Sequence, residues 1–305
     1  MINIQDVTKR FPSVIALNHL SLEIKEREFF GLLGPNGAGK STLMNLLVGY
    51  LNPDEGSVTI DGHGVAQDNL EVRKHIGFVP QSLALYDELS AFENLKVFGK
   101  LFDIPSKVLN QRIEEQLKAV ELFDRRKDKV KAFSGGMKRR LNIIASLLHE
   151  PSIVLCDEPT VGVDPQSRNA IFEYLLSLNR QGKTIIYTTH YMEEAERLCN
   201  RIGIIDHGSI IGLGTTDELL EKLPYEETII ITRNADTLKQ RPMFEEFGTV
   251  IDDNDHMELK PEGGFVLSKF FSQIEKQGIS YRWIELQRPT LEALFLYLTG
   301  RKLRD

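Results

Sequence analysis

One stretch constrains this chain more than any other: Gly34-Pro35-Asn36-Gly37-Ala38-Gly39-Lys40-Ser41-Thr42. Four residues separate Gly34 from Gly39, and Lys40-Ser41 follow, which is the phosphate-loop pattern G-x-x-x-x-G-K-S. Glycines let the backbone curl until successive N–H groups point inward at an anion. Lys40 adds a point charge for β- and γ-phosphates, and Ser41 offers a hydroxyl to Mg²⁺. Thr42 is expected to open a helix whose N-terminus favours negative charge. The flanks fit. Phe29-Phe30-Gly31-Leu32-Leu33 reads as a buried strand and Leu43-Met44-Asn45-Leu46-Leu47-Val48 as a helix. Strand, loop and helix in that order is the context the pattern requires.

The 305 residues suggest two domains and give ample length to bury a core. With 37 basic and 44 acidic residues the chain carries −7 net, so it is not built to coat nucleic acid or anionic lipid. Basic clusters at Arg125-Arg126-Lys127 and Lys138-Arg139-Arg140 are expected on solvated helix faces or at local docking spots. The two cysteines, Cys156 and Cys199, match no zinc spacing and make no disulfide framework, which fits a reducing cytosol. The chain enters a strand at once after Met1, with no signal peptide visible. No run approaches the roughly 18 apolar residues of a spanning helix, so a membrane role would need a separate partner chain.

Residues 2–7 and 20–25 alternate like strands of a small sheet, and Phe11 lies between them beside Pro12. Phe11 has two readings: a ring that stacks on adenine, or a core aromatic. Ser57-Val58-Thr59-Ile60 before Asp61-Gly62 is a hairpin signal. His75 to Pro80 is another strand, and Gln81 stands beyond its end, to reach Mg²⁺ or water or simply to sit at the surface. From about 88 to 148 helical periodicity takes over, which reads as an insert in an α/β core. Near its end Ser134 is an N-cap, and Gly135 and Gly136 leave bare N–H groups at the helix start. They make either a good cap or a second anion site.

Ser152 to Leu155 with Cys156 is apolar on both faces, as in a central parallel strand, and ends in Asp157-Glu158-Pro159. Carboxylates at that end face the crevice where phosphates collect: Asp157 for Mg²⁺, Glu158 to polarise an attacking water. The alternative is an acidic pair that merely caps a helix. Lys183 to Thr189 is a further buried strand, followed directly by His190, which is placed to contact a γ-phosphate or the attacking water. A lone histidine is otherwise structural. Arg201 to Gly208 gives a strand and turn, and 215–223 a closing helix. Beyond it, strands at 228–232, 249–252, 255–259 and 280–286 alternate with helices at 235–247, 265–277 and 290–299. The order βαββαβ predicts a small ferredoxin-like α+β domain with no metal or catalytic pattern.

Phosphate loop, Gln81, Ser134-Gly135-Gly136, and Asp157-Glu158 with His190 stand in one order. Together they resemble the ATPase subunit of ATP-binding cassette (ABC) transporters, over roughly residues 2–220. The resemblance implies an α/β phosphate-loop NTPase: a RecA-like core with an antiparallel β subdomain and a helical insert at about 88–148. It implies an ATP-binding domain over 1–220 and an accessory domain over 221–305. By position, Phe11 looks like the adenine-stacking aromatic. Gly34 to Thr42 look like the ATP phosphate site, with Ser41 on Mg²⁺. Gln81 is similar to the glutamine that senses Mg²⁺ and signals to the membrane subunit. Ser134, Gly135 and Gly136 look like the signature that binds the γ-phosphate of ATP held by a second copy. Asp157 resembles the Mg²⁺ carboxylate, Glu158 the general base, Asp164 the dimer-contact aspartate and His190 the switch histidine.

This chain departs from the family pattern at Phe133, where leucine is commoner, at Met137, where glutamine is, and at Cys156, ordinarily aliphatic. Val161-Gly162-Val163-Asp164 also differs mildly from the usual Gly-Leu-Asp. Tyr191 to Glu196 and the tail from Arg288 to Arg301 are similar to exporter ATPases of the drug-resistance type. The resemblance implies ATP hydrolysis in a head-to-tail dimer and a separate membrane permease. It also implies a place on the cytoplasmic face of the membrane. The rival is a non-transport cassette acting as a nucleotide-driven clamp on ribosome or nucleic acid, which the acidic charge argues against. A kinase leaves the Ser-Gly-Gly turn unexplained.

Overall fold

The computed structural model describes residues 1–65, 70–223, 228–287 and 289–300. Arg288 and Arg301, the ends of the exporter-like tail, lie outside them. The chain forms two compact units that divide between Thr215 and Thr216.

The first unit holds two sheets. β1 (Ile2–Phe11), β2 (Val14–Ile24), β4 (Glu55–Ile60) and β5 (His63–Gly64) form an antiparallel sheet in the order β2-β1-β4-β5. β1 and β2 run longer than the alternation predicts and meet in a hairpin that pairs Phe11 with Val14 around Pro12-Ser13. Proline sits in the turn, where its missing N–H costs no ladder bond. β3 (Phe29–Leu33), β6 (Ile76–Val79), β7 (Ile153–Asp157), β8 (Thr184–Thr189), β9 (Arg201–Asp206) and β10 (Ser209–Gly214) form the second sheet, ordered β10-β9-β3-β8-β7-β6. Its pairs are parallel except β9 with β10. β3, β7 and β8 are buried along their whole lengths, as strands covered on both faces must be.

Helices cover this sheet. α1 (Lys40–Leu47) packs Leu43, Met44, Leu46 and Leu47 into a core shared with the first sheet. It starts at Lys40, not at Thr42, with Gly39 as its N-cap. α2 (Leu70–Lys74) precedes β6. The helical insert is α3 (Ala91–Lys100), α4 (Ser106–Ala119) and α5 (Gly135–Ala145). Leu95, Ile113, Leu117, Leu141 and Ile144 build its own core. α6 (Pro165–Arg180) and α7 (Met192–Leu198) cover the other face through Ile171, Leu175 and Leu198.

The second unit begins with α8 (Thr216–Leu220), which packs on α12 (Leu291–Thr299) and so belongs here, not with the cassette as the expected boundary at 220 had it. β11 (Thr228–Thr232), β12 (Gly248–Asp252), β13 (His256–Pro261) and β14 (Ile284–Gln287) form an antiparallel sheet ordered β12-β13-β11-β14. That is the ferredoxin-like order. The helix expected over 235–247 is two, α9 (Ala235–Lys239) and α10 (Arg241–Glu245), because Pro242 is tolerated only in a first helical turn. α11 (Leu267–Lys276) buries Phe270 and Ile274 against the sheet.

Candidate functional site

The phosphate loop joins β3 to α1. Gly34 N–H donates to Thr189 O at 3.3 Å, and Gly208 N–H to Ala38 O at 2.9 Å, so the loop is tied to β8 and to the β9–β10 turn. Gly39 has φ of 110°, and a Cβ there would lie 2.5 Å from Ala16 O on β2. Only glycine fits. Ala38 is buried and Pro35 half-buried, whereas Asn36, Gly37 and Ser41 are exposed and Thr42 is half-buried. Lys40 Nζ donates to Gly34 O at 2.7 Å and Pro35 O at 3.1 Å.

Glu158 gathers the predicted catalytic side chains. Its Oε1 lies 3.0 Å from Lys40 Nζ and 3.3 Å from His190 Nδ1, and its Oε2 accepts from Gln81 Nε2 at 3.1 Å. The His190 approach is outside hydrogen-bond geometry, and Nδ1 is buried without a hydrogen-bond partner. Glu158 sits in the left-handed region at φ 44°, a conformation that costs a non-glycine residue about 1–2 kcal/mol. Thr188 helps hold it there by accepting from Glu158 N–H at 3.0 Å. The same Thr188 hydroxyl donates to Asp157 Oδ1 at 2.6 Å, and so fixes that buried carboxylate.

Two predicted groups stand elsewhere. Phe11 is 40% exposed on the β1–β2 hairpin, whose second strand walls the loop at Ala16. The core-aromatic reading is therefore excluded. Ser134 caps α5, its Oγ accepting from Met137 N–H at 3.3 Å. A Cβ on Gly136 would lie 2.1 Å from Ser167 Oγ and 2.4 Å from Ser167 Cβ, whereas Gly135 is exposed. Gly136 thus lets α5 approach the start of α6. There Asp164 is the N-cap, and the Ser167 N–H it accepts lowers its pKa. The serine-glycine-glycine turn and the phosphate loop are anchored on different elements.

Several contributing residues had no sequence signal. Thr188 is matched to Asp157 only by strand register. Arg139, expected in a solvated basic cluster, is buried and donates to Pro80 O at 2.9 Å and Gln81 O at 2.6 Å. Burial lowers its pKa, and the two carbonyls satisfy its guanidinium. Arg140 likewise donates to Val120 O at 2.7 Å. Asn142 Oδ1 accepts from Ala84 N–H at 3.2 Å, so α5 holds the loop after Gln81 at two points. Cys156 and Cys199 are free thiols. Burial pushes Cys156 up to about 12 and also raises the half-buried Cys199, which disfavours the thiolate at both. In the second unit Asp253, His256 and Glu258 converge within 4.8 Å, a grouping the sequence reading missed.

Comparison with known proteins gives one direction. The family described as ABC transporter matches residues 17–161. The linearmycin resistance ATP-binding protein LnrL of Bacillus subtilis (strain 168) is 40% identical over 311 residues, covering 100% of both chains. The Nod factor export ATP-binding protein I of Cupriavidus pinatubonensis is 36% identical, covering 100% of this chain and 92% of its own. The daunorubicin resistance ATP-binding protein DrrA3 of Streptomyces coeruleorubidus is 35% identical, over 98% and 96%. Among solved structures, the dimeric bacterial ABC transporter cassette MJ0796 is 33% identical with a TM-score of 0.65, covering 70% of this chain and 98% of that one. The same cassette in a dimeric post-hydrolysis state with ADP and Pi scores 0.64 at 32% identity, over 70% and 98%.

Proposed function

Because this chain belongs to the ABC transporter family, whose ATP-binding subunits hydrolyse ATP, we propose that two copies act head to tail beneath a separate membrane permease and drive export. The grouping of Lys40, Gln81 and His190 around Glu158 is the observation that carries this reading. Each copy supplies a phosphate loop for one ATP and a serine-glycine-glycine turn for the partner's ATP. The separate anchoring of the two turns favours this division of labour. MJ0796, similar over the cassette, is dimeric.

The donor set fits Mg²⁺. Ser41 and Gln81 are exposed, Asp157 is held by Thr188 through one carboxylate oxygen, and all three offer hard oxygen ligands. Bound there, Mg²⁺ would neutralise phosphate charge. Lys40 exchanges Glu158 and loop carbonyls for phosphate oxygens. Glu158, freed from Lys40, accepts a proton from the attacking water. His190 steadies the γ-phosphate, and Phe11 stacks on the adenine.

Among the described residues no helix is long and apolar enough to cross a membrane, and in this reading a separate permease supplies the path. A groove of about 840 Å³ lined by Phe78, Pro80, Phe98, Leu101 and Phe102 offers that permease an apolar seat on the helical insert. The subunit then works at the cytoplasmic face of the membrane. The names of the relatives, one for Nod factor export and two for resistance to linearmycin and daunorubicin, favour transport over a clamp on ribosome or nucleic acid. Sedimentation of the Glu158→Gln chain with ATP and Mg²⁺ tests the arrangement. A dimer that needs ATP is expected, and a monomer at saturating ATP would exclude it.

A further inference from the structure

Glu194 is a carboxylate in the protein interior, 3% exposed, on the first turn of α7. No step above uses it. An anion so placed is retained only if its lone pairs are filled. Glu194 has them filled by hydroxyls from two segments. Its Oε1 accepts from Thr160 Oγ1 at 2.8 Å, and its Oε2 accepts from Tyr187 Oη at 2.9 Å and Thr189 Oγ1 at 2.8 Å. Thr160 and Tyr187 also meet at 3.1 Å. Burial first, and the Glu194 charge second, push the Tyr187 phenol well up, so it stays a donor.

The two segments are the ones that present the reacting groups. Thr160 lies two residues beyond Glu158, in the turn leading to Asp164, and accepts from Val163 N–H at 3.1 Å through its carbonyl. Thr189 immediately precedes His190, and its hydroxyl also accepts from Tyr191 N–H at 2.9 Å. The Tyr191 ring lies 4.1 Å from the His190 ring. Arg168, from the first turn of α6, reaches Glu194 Oε1 at 3.7 Å and lies 5.5 Å from the Tyr191 ring.

We infer that Glu194 is a positioning residue for hydrolysis: one buried carboxylate ties the segment after Glu158 to the segment carrying His190, and so sets the spacing between base and histidine. The inference rests on the roles proposed above for Glu158 and His190. Misplacement of a reacting group by an ångström is enough to slow chemistry without touching substrate affinity. Glu194 itself is buried and bonds to both segments.

The test is Glu194→Gln in the full chain, which keeps the shape and replaces one acceptor by a donor. We expect kcat for ATP to fall about ten- to hundredfold while KM stays within about twofold, with the folded structure retained by circular dichroism. Thr160→Val and Thr160→Ser are compared alongside, because they read the same tie should the glutamine variant fail to fold. The valine variant should be slow, and serine, which keeps the hydroxyl, should recover most of the turnover. Glu194→Gln at wild-type kcat, or Thr160→Ser as slow as Thr160→Val, overturns the inference. Glu158→Gln separates the two layers. If it is slow while Glu194→Gln is fast, only this inference falls; if Glu158→Gln itself turns over normally, the base assignment falls with it.

Discussion

Glu158 and Lys40 form an ion pair at 3.0 Å, with side chains only 7% and 4% exposed. The carboxylate and the phosphate-loop cation thus neutralise each other. Removing one partner strands the other in a buried site. Lys40→Met should lose about 3 kcal/mol of stability, and adding Glu158→Gln should restore most of it. Urea denaturation of the single and double variants reads this directly. A single variant as stable as wild type would show that the pair contributes nothing. ATPase activity should be abolished in both.

Glu158→Gln alone keeps the hydrogen-bond partner of Gln81 and removes the basic oxygen. Turnover should fall about 10²- to 10⁴-fold while ATP still binds. Steady-state phosphate release and equilibrium nucleotide binding on the same preparation separate the two. Turnover within a factor of about three of wild type would assign the base elsewhere.

Phe11 is exposed and contributes little to the fold. Phe11→Ala should weaken ATP by about 1–3 kcal/mol if the ring stacks on the base, with the melting temperature unchanged. Calorimetric titration gives the affinity. An unaltered dissociation constant means the ring does not meet the nucleotide.

The two signature glycines should behave differently. A methyl group on Gly136 runs into Ser167, so Gly136→Ala should cost about 1–3 kcal/mol by overpacking. Gly135→Ala has only Gly162 O at 4.0 Å and should leave folding intact. Thermal unfolding of the two variants side by side checks the order.

His256 gives a pH dependence in the second unit. Its hydrogen bond to Asp255 raises the imidazole pKa above 6.5, opposed by burial and aided by Glu258 and Asp253. A raised folded pKa favours the protonated form. The stability it contributes is full below the ordinary value and disappears as pH rises through the folded one. NMR titration should place His256 above 6.5, and His256→Asn should flatten that part of the stability profile. A midpoint at or below the ordinary value contradicts the pairing.

The sequence was most legible where chemistry and local geometry coincide. Glycines, Lys40, the carboxylates at the end of β7 and the Ser134 cap are fixed by short-range rules, and the structure has each on the predicted kind of element. Thr188, Arg139 and Glu194 are not legible, because each bonds to at least one partner 30 or more residues away. In the sequence Thr188 is one more β-branched residue of a buried strand, and Glu194 is marked only by its place in the Tyr191 to Glu196 stretch. The Lys138-Arg139-Arg140 run was read by its average polarity, yet Arg139 points inward to two carbonyls. The split at Pro242 was readable in principle, since proline in a helical pattern marks a start as readily as a kink.

Arg139 has a mechanical consequence. Its planar fork holds both Pro80 and Gln81 carbonyls while rooted on α5, and Asn142, one turn on, holds Ala84. The bend is therefore held at two points on one face of the same helix. The 80–84 bend and the Ser134 cap are thus joined through one short helix, α5, with no intervening loop.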